Sequence, residues 1–67
     1  MNWKVNENLC ELTSVEIFHS EIIFNINVFP HEDDTIFIVL RDSSGMAHCG
    51  EYLKTGKTQK IVLRNNT

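Results

Sequence analysis

Residues 35–40 read Thr-Ile-Phe-Ile-Val-Leu, five large apolar side chains in six positions. In an extended chain successive side chains point to opposite faces, so Ile36, Ile38 and Leu40 fill one face while Phe37 and Val39 fill the other. Such a strand requires apolar cover on both sides, and a chain of 67 residues has little material with which to supply it. The segment before it is one-sided: Ile22, Phe24, Ile26 and Val28 share a parity, and Asn25 and Asn27 occupy the other. Pro30, which cannot donate to a ladder, separates the two runs.

Strand periodicity dominates the rest of the chain as well. Val15 and Ile17 alternate with Ser14 and Glu16 to predict a strand over 13–18, and 22–29 and 35–41 follow as described. Asp42-Ser43-Ser44-Gly45 is a turn signature, with Asp placed to bond its own backbone and Gly to accept positive φ. A returning strand is predicted over 46–53, where Gly50 marks a bulge or a close backbone approach. Gly56 turns the chain into a last strand over 58–64, and Trp3 to Val5 is a candidate sixth. The only helical signal is a single turn within 6–12, capped by Asn6 or Asn8. The predicted fold is therefore one all-β domain over residues 1–67, a small antiparallel meander of five to six strands forming a curled sheet or small barrel, with little or no helix.

Composition narrows the function classes. Leu, Ile, Val and Phe make up close to a third of the chain, enough to fold. The net charge of −3 is split unevenly, with seven acids and one base in residues 1–34 against two acids and five bases in residues 35–67. Nucleic acid is thus not the expected partner. Cys10 and Cys49 are too few for a disulfide framework, no apolar run approaches a membrane span, and Met1 to Asn8 lacks the apolar stretch of a secretory leader. These features predict a cytoplasmic protein with reduced thiols. The Asn65-Asn66-Thr67 sequon is read as chance in that setting.

Several motifs that resemble reactive sites fail on spacing. Gly56-Lys57-Thr58 lacks the glycine interval and the helix of a phosphate-binding loop. His31, Glu32, Asp33 and Asp34 share a loop, and His48 adjoins Cys49, but strand neighbours point apart and no zinc spacing appears, so no metal or cofactor is assigned. Cys49 or Cys10 with His48 or His19 and Glu51 supplies the residue types of a nucleophilic site but no sign that they converge, so no catalytic residue is assigned.

What remains is surface. Phe18, Ile23, Phe29, Phe37 and Val39 lie on the parity opposite their strands' main apolar sets, and together they predict a second apolar face rimmed by charge. Lys54, Lys57, Lys60 and Arg64 add a basic hairpin able to make electrostatic contacts. Trp3 either pins the N-terminal segment or anchors a partner. The expected function is a non-enzymatic β interaction module that binds itself, as a dimer, or a larger protein, in the manner of an inhibitor. The alternatives are a carbohydrate-module-like domain using Trp3 or Tyr52 with Asn25 or Asn27, and a single-stranded nucleic-acid binder using the basic hairpin.

Overall fold

The computed structural model describes residues 2–64. Five strands are present: β1 (Cys10–Ile17), β2 (Glu21–Val28), β3 (Thr35–Arg41), β4 (Ala47–Lys54) and β5 (Thr58–Arg64). All pairings are antiparallel, and no helix occurs among the described residues. The strands form a three-stranded sheet in the order β1-β2-β5 and a two-stranded sheet of β3 and β4. The chain is the small antiparallel all-β domain that its periodicity predicts, resolved into two packed layers.

β2 is the central strand of its sheet and has an unbroken apolar row on its inner side. Phe24, Ile26 and Val28 are fully buried and pack with Ile38 and Leu40 of β3, Leu53 of β4, Ile61 of β5 and Cys10 of β1. This row can bury fully only if both edges of β2 are paired. β1 takes one edge, and β5 takes the other instead of continuing the β3–β4 sheet. The turn between β4 and β5 closes against the end of β2, where the Gly56 N–H donates to Val28 O at 3.0 Å and the Val28 N–H to Lys57 O at 3.1 Å. Gln59 bridges β4 and β5 with its side chain, accepting from Lys54 N at 2.9 Å and donating to Lys54 O at 2.6 Å.

Two bulges interrupt the ladders. Between Leu12 and Ser14 the register shifts by one, and the Thr13 hydroxyl donates to Asn25 O at 2.9 Å in place of a ladder bond. The extra residue switches the inward parity, so Cys10 and Leu12 face the core before it and Val15 after it. β1 consequently begins at Cys10, upstream of the predicted start at 13. The single turn expected within 6–12 is a hydrogen-bonded turn rather than a helix, in which the Leu9 and Cys10 N–H groups donate to Asn6 O and Asn6 Oδ1 accepts from Asn8 N. The second bulge lies between Leu40 and Arg41, with His48 as the extra residue of β4.

The candidate sixth strand is a single bridge in which Lys4 N donates to Arg41 O at 2.8 Å and Arg41 N returns a bond to Lys4 O at 3.0 Å. Trp3, next to it, packs edge-on against Phe24 with ring centroids 4.9 Å apart, so it pins the segment to the core. Its Nε1–H is buried without a hydrogen-bond partner. Cys10 and Cys49 are free thiols. The sequon at 65–67 lies outside the described residues.

Because Ile26 is fully enclosed at the centre of the row, Ile26→Asp is expected to abolish cooperative unfolding, whereas Ile26→Val should cost about 1 kcal/mol. Chemical denaturation of the two variants distinguishes a buried facing from an exposed one.

Candidate functional site

Cross-strand partners in an antiparallel pair share a face, so the register fixes what the outer side of β3–β4 presents. Phe37 stands opposite Tyr52, Val39 opposite Gly50, and Thr35 opposite Lys54. Phe37 is 49% and Tyr52 73% exposed, and their rings meet edge to face with centroids 5.0 Å apart. Gly50 permits this arrangement: a Cβ there would lie 2.6 Å from Phe37 Cζ, so the absent side chain lets the ring lie down on the neighbouring strand. The bridge to Arg41 adds Lys4 to the same face, beyond the Val39 end.

The five apolar residues predicted to form one patch fall on different surfaces. Phe37 and Val39 are together on the outer face of β3. Ile23 lies on the outer face of the other sheet, next to Val62. Phe18 sits exposed at the tip of the β1–β2 hairpin, where its N–H donates to Glu21 O. Phe29 follows β2 at the opposite end and donates its N–H to Leu9 O. The four cations divide in the same way. Lys60 and Arg64 belong to the outer face of β5, with Arg64 Nε 3.6 Å from a Glu21 carboxylate oxygen, Lys57 is in the β4–β5 turn, and Lys54 alone reaches the β3–β4 face. Sequence reasoning missed Lys4 and Arg41 as rim residues and gave Tyr52 no place beside Phe37. Counting back from the turn without a bulge pairs Phe37 with Glu51, and the extra residue His48 moves Tyr52 there.

The carbohydrate arrangement does not assemble either, since Tyr52 and the two asparagines stand on different layers. The Asn25 amide is occupied, donating to Ser14 Oγ and Glu16 Oε2 at 2.9 Å each.

A second concavity, a cleft of about 610 Å³, opens between the two layers beside Trp3, Phe18, Ile22, Asp42, His48 and Leu63. The bulge re-aims His48 toward this cleft, where its ring meets the Trp3 indole edge-on at 4.9 Å and its Nε2 is 2.8 Å from Asp42 Oδ2. Asp42 also organises the turn that the sequence predicts. Its Oδ1 accepts from Ser44 N at 2.9 Å and Met46 N at 3.1 Å, and Gly45 takes up φ of 93°. The hydrogen bond to His48, then those from the Ser44 hydroxyl and the Ser44 and Met46 amides, hold the Asp42 carboxyl well below the usual carboxylate range.

Burial pushes the Cys49 thiol up, and the neighbouring Glu51 charge adds to this; burial does the same to Cys10. Among the described residues no three His, Cys, Asp or Glu side chains are grouped to hold a metal ion. His31 is engaged within its own loop, accepting from Asp33 N at 3.2 Å, and Gly56-Lys57-Thr58 forms the β4–β5 turn and the first residue of β5. Among the described residues no helix is long and apolar enough to cross a membrane. Compared with family models, curated proteins and solved structures, the chain has no match in any of the three.

A carboxylate depressed in the folded state contributes stability that is complete above its unfolded pKa, near 4, and is lost as pH falls through the lower folded value. Asp42→Asn is therefore expected to melt below the parent protein at pH 7, and the gap should close as the pH is taken below about 4. Paired thermal melts from pH 7 to pH 2 check the sign.

Proposed function

We propose that the chain is a non-enzymatic protein interaction module whose working surface is the outer face of the β3–β4 sheet. The observation that carries this reading is the pair Phe37 and Tyr52, two large aromatic side chains left in solvent on a sheet whose other side buries Ile38, Leu40 and Leu53 in the core. Aromatic side chains are enriched where proteins dock, because they bury much area at a small cost in side-chain freedom. Here that cost is reduced further, since the Phe37 ring is already held between Gly50 and Tyr52.

The inter-layer cleft is the competing site, and its chemistry supports a structural role. Its charged groups are largely matched to one another, Asp42 with His48 and Glu21 with Arg64, so a ligand for those groups would have to displace existing partners, while the Trp3 Nε1–H stays unpartnered. On the β3–β4 face the rim cations have no such partner: among the described residues no carboxylate lies within ion-pair distance of Lys4, Arg41 or Lys54.

Phe37→Ser and Tyr52→Ser test the proposal. Each replaces an exposed ring, so folding should weaken by about 1 kcal/mol or less for Tyr52 and slightly more for Phe37, which also covers Gly50. Peptides selected from a random library against the parent protein should fail to bind the folded double variant. Undiminished binding to it would reject this face as the docking surface. Replacing Lys60 and Arg64 by Ser, on the other sheet, should change neither folding nor the selected binding.

A further inference from the structure

The outer face of β3–β4 is more specific than an apolar patch. A groove of about 280 Å³ runs along it between the N-terminal segment and β3, with Val5, Leu9, Phe37 and Val39 as apolar walls and Lys4 and Arg41 at one end. The two cations are neighbours, because their backbones exchange the hydrogen bonds of the isolated bridge. Lys54 stands at the opposite end, paired with Thr35. Thr35 to Arg41 is seven residues of strand, about 20 Å at the rise of an extended chain. The surface is thus an aromatic and aliphatic middle with cations toward both ends that, among the described residues, have no carboxylate within ion-pair distance: Lys4 and Arg41 on the groove itself, and Lys54 outside its lining, next to the Asp33–Asp34 loop.

From this juxtaposition we infer that the groove takes an extended acidic segment of another protein, with apolar side chains at its centre and carboxylates toward both ends. The inference rests on the proposed docking role of this face and specifies its occupant. A strand-like segment of six or seven residues spans about 20 Å, so one peptide reaches both cationic ends at once. Charge complementarity selects it over two other occupants. A second copy related by a two-fold axis presents the same face, and in either direction its cationic ends meet cationic ends, a repulsion that specific interfaces avoid. A single nucleic-acid strand needs ring faces open for base stacking. The outer edge of the Phe37 ring lies over Gly50 and the ring packs edge to face with Tyr52, so the Phe37 ring is not laid open as a stacking platform.

The test is titration of the full ¹⁵N-labelled chain with three probes: a blocked octapeptide carrying two Glu at each end around Leu-Val-Phe-Val, the same peptide with Lys for Glu, and octathymidylate. The acidic peptide is expected to shift the amides of Lys4, Phe37 to Arg41 and Gly50 to Lys54. It should bind at least about tenfold more tightly than the lysine peptide at low salt, with the preference shrinking as salt is added. Lys4→Glu combined with Lys54→Glu should reverse the order of the two peptides. Arg41→Glu gives a second reversal, at some cost to the turn, because Arg41 Nη1 donates to Gly45 O at 3.1 Å. Equal binding of both peptides through these amides overturns the acidic preference and leaves the docking face standing. Neither peptide moving these amides removes both readings. Preferential binding of octathymidylate, or a salt-insensitive dimer formed through the same amides, assigns the face to nucleic acid or to a second copy and overturns the inference.

Discussion

The contact on which this molecule depends is the one between the inner row of β2 and the inner row of β3. Phe24, Ile26 and Val28 on one layer and Ile38 and Leu40 on the other account for five of the eight buried core residues. A two-stranded sheet is not stable in water by itself, and a three-stranded one with an apolar face needs cover. Each layer therefore owes its persistence to the other. The remaining arrangement follows: β5 completes the edge of β2, Trp3 closes the side of the core next to Phe24, and the β4–β5 turn seals the end of β2.

Satisfying that contact uses up the inward side of β3 and leaves the outward side without a sheet over it, because the described residues form two layers and no third. The surface that results is a by-product of size. Among the described residues Phe37 and Tyr52 remain exposed and Val39 half-buried, where solvent or another molecule meets them. Gly50 softens the consequence by letting Phe37 lie against the sheet, which hides part of the ring and fixes its orientation. The same packing makes the ring a prepared contact surface.

Strand identity was legible in the sequence wherever parity ran unbroken, as in β2, β3 and β5. It was obscured where a bulge switched the parity. Cys10 and Leu12 have even numbers and Val15 and Ile17 odd ones, so no single alternation spans β1, and its first three residues resembled a helical turn. The partition into two layers was equally hidden, because alternation gives the facing of a strand and not its neighbour. That gap had a direct effect on the functional reading. Ile23 and Phe37 share the status of second-face residues on their own strands, yet β2 and β3 lie in different sheets and turn those faces away from each other. The cationic rim was illegible for a different reason: Lys4 and Arg41 lie 37 positions apart, and only the backbone bridge between them brings their side chains to one end of a groove.

That bridge also makes the groove responsive. One wall is a segment held to β3 by two backbone hydrogen bonds and to the core by the Trp3 indole, which packs on Phe24 and His48. A guest lying between this segment and β3 touches both, so seating it and tethering the N-terminus are thermodynamically linked and each favours the other by the same factor. Loosening Trp3 would then lower affinity from a position that touches no guest, and occupancy would slow amide exchange at Lys4 and Arg41. That bridge is thereby the place where a bound molecule writes its presence into the stability of the whole domain.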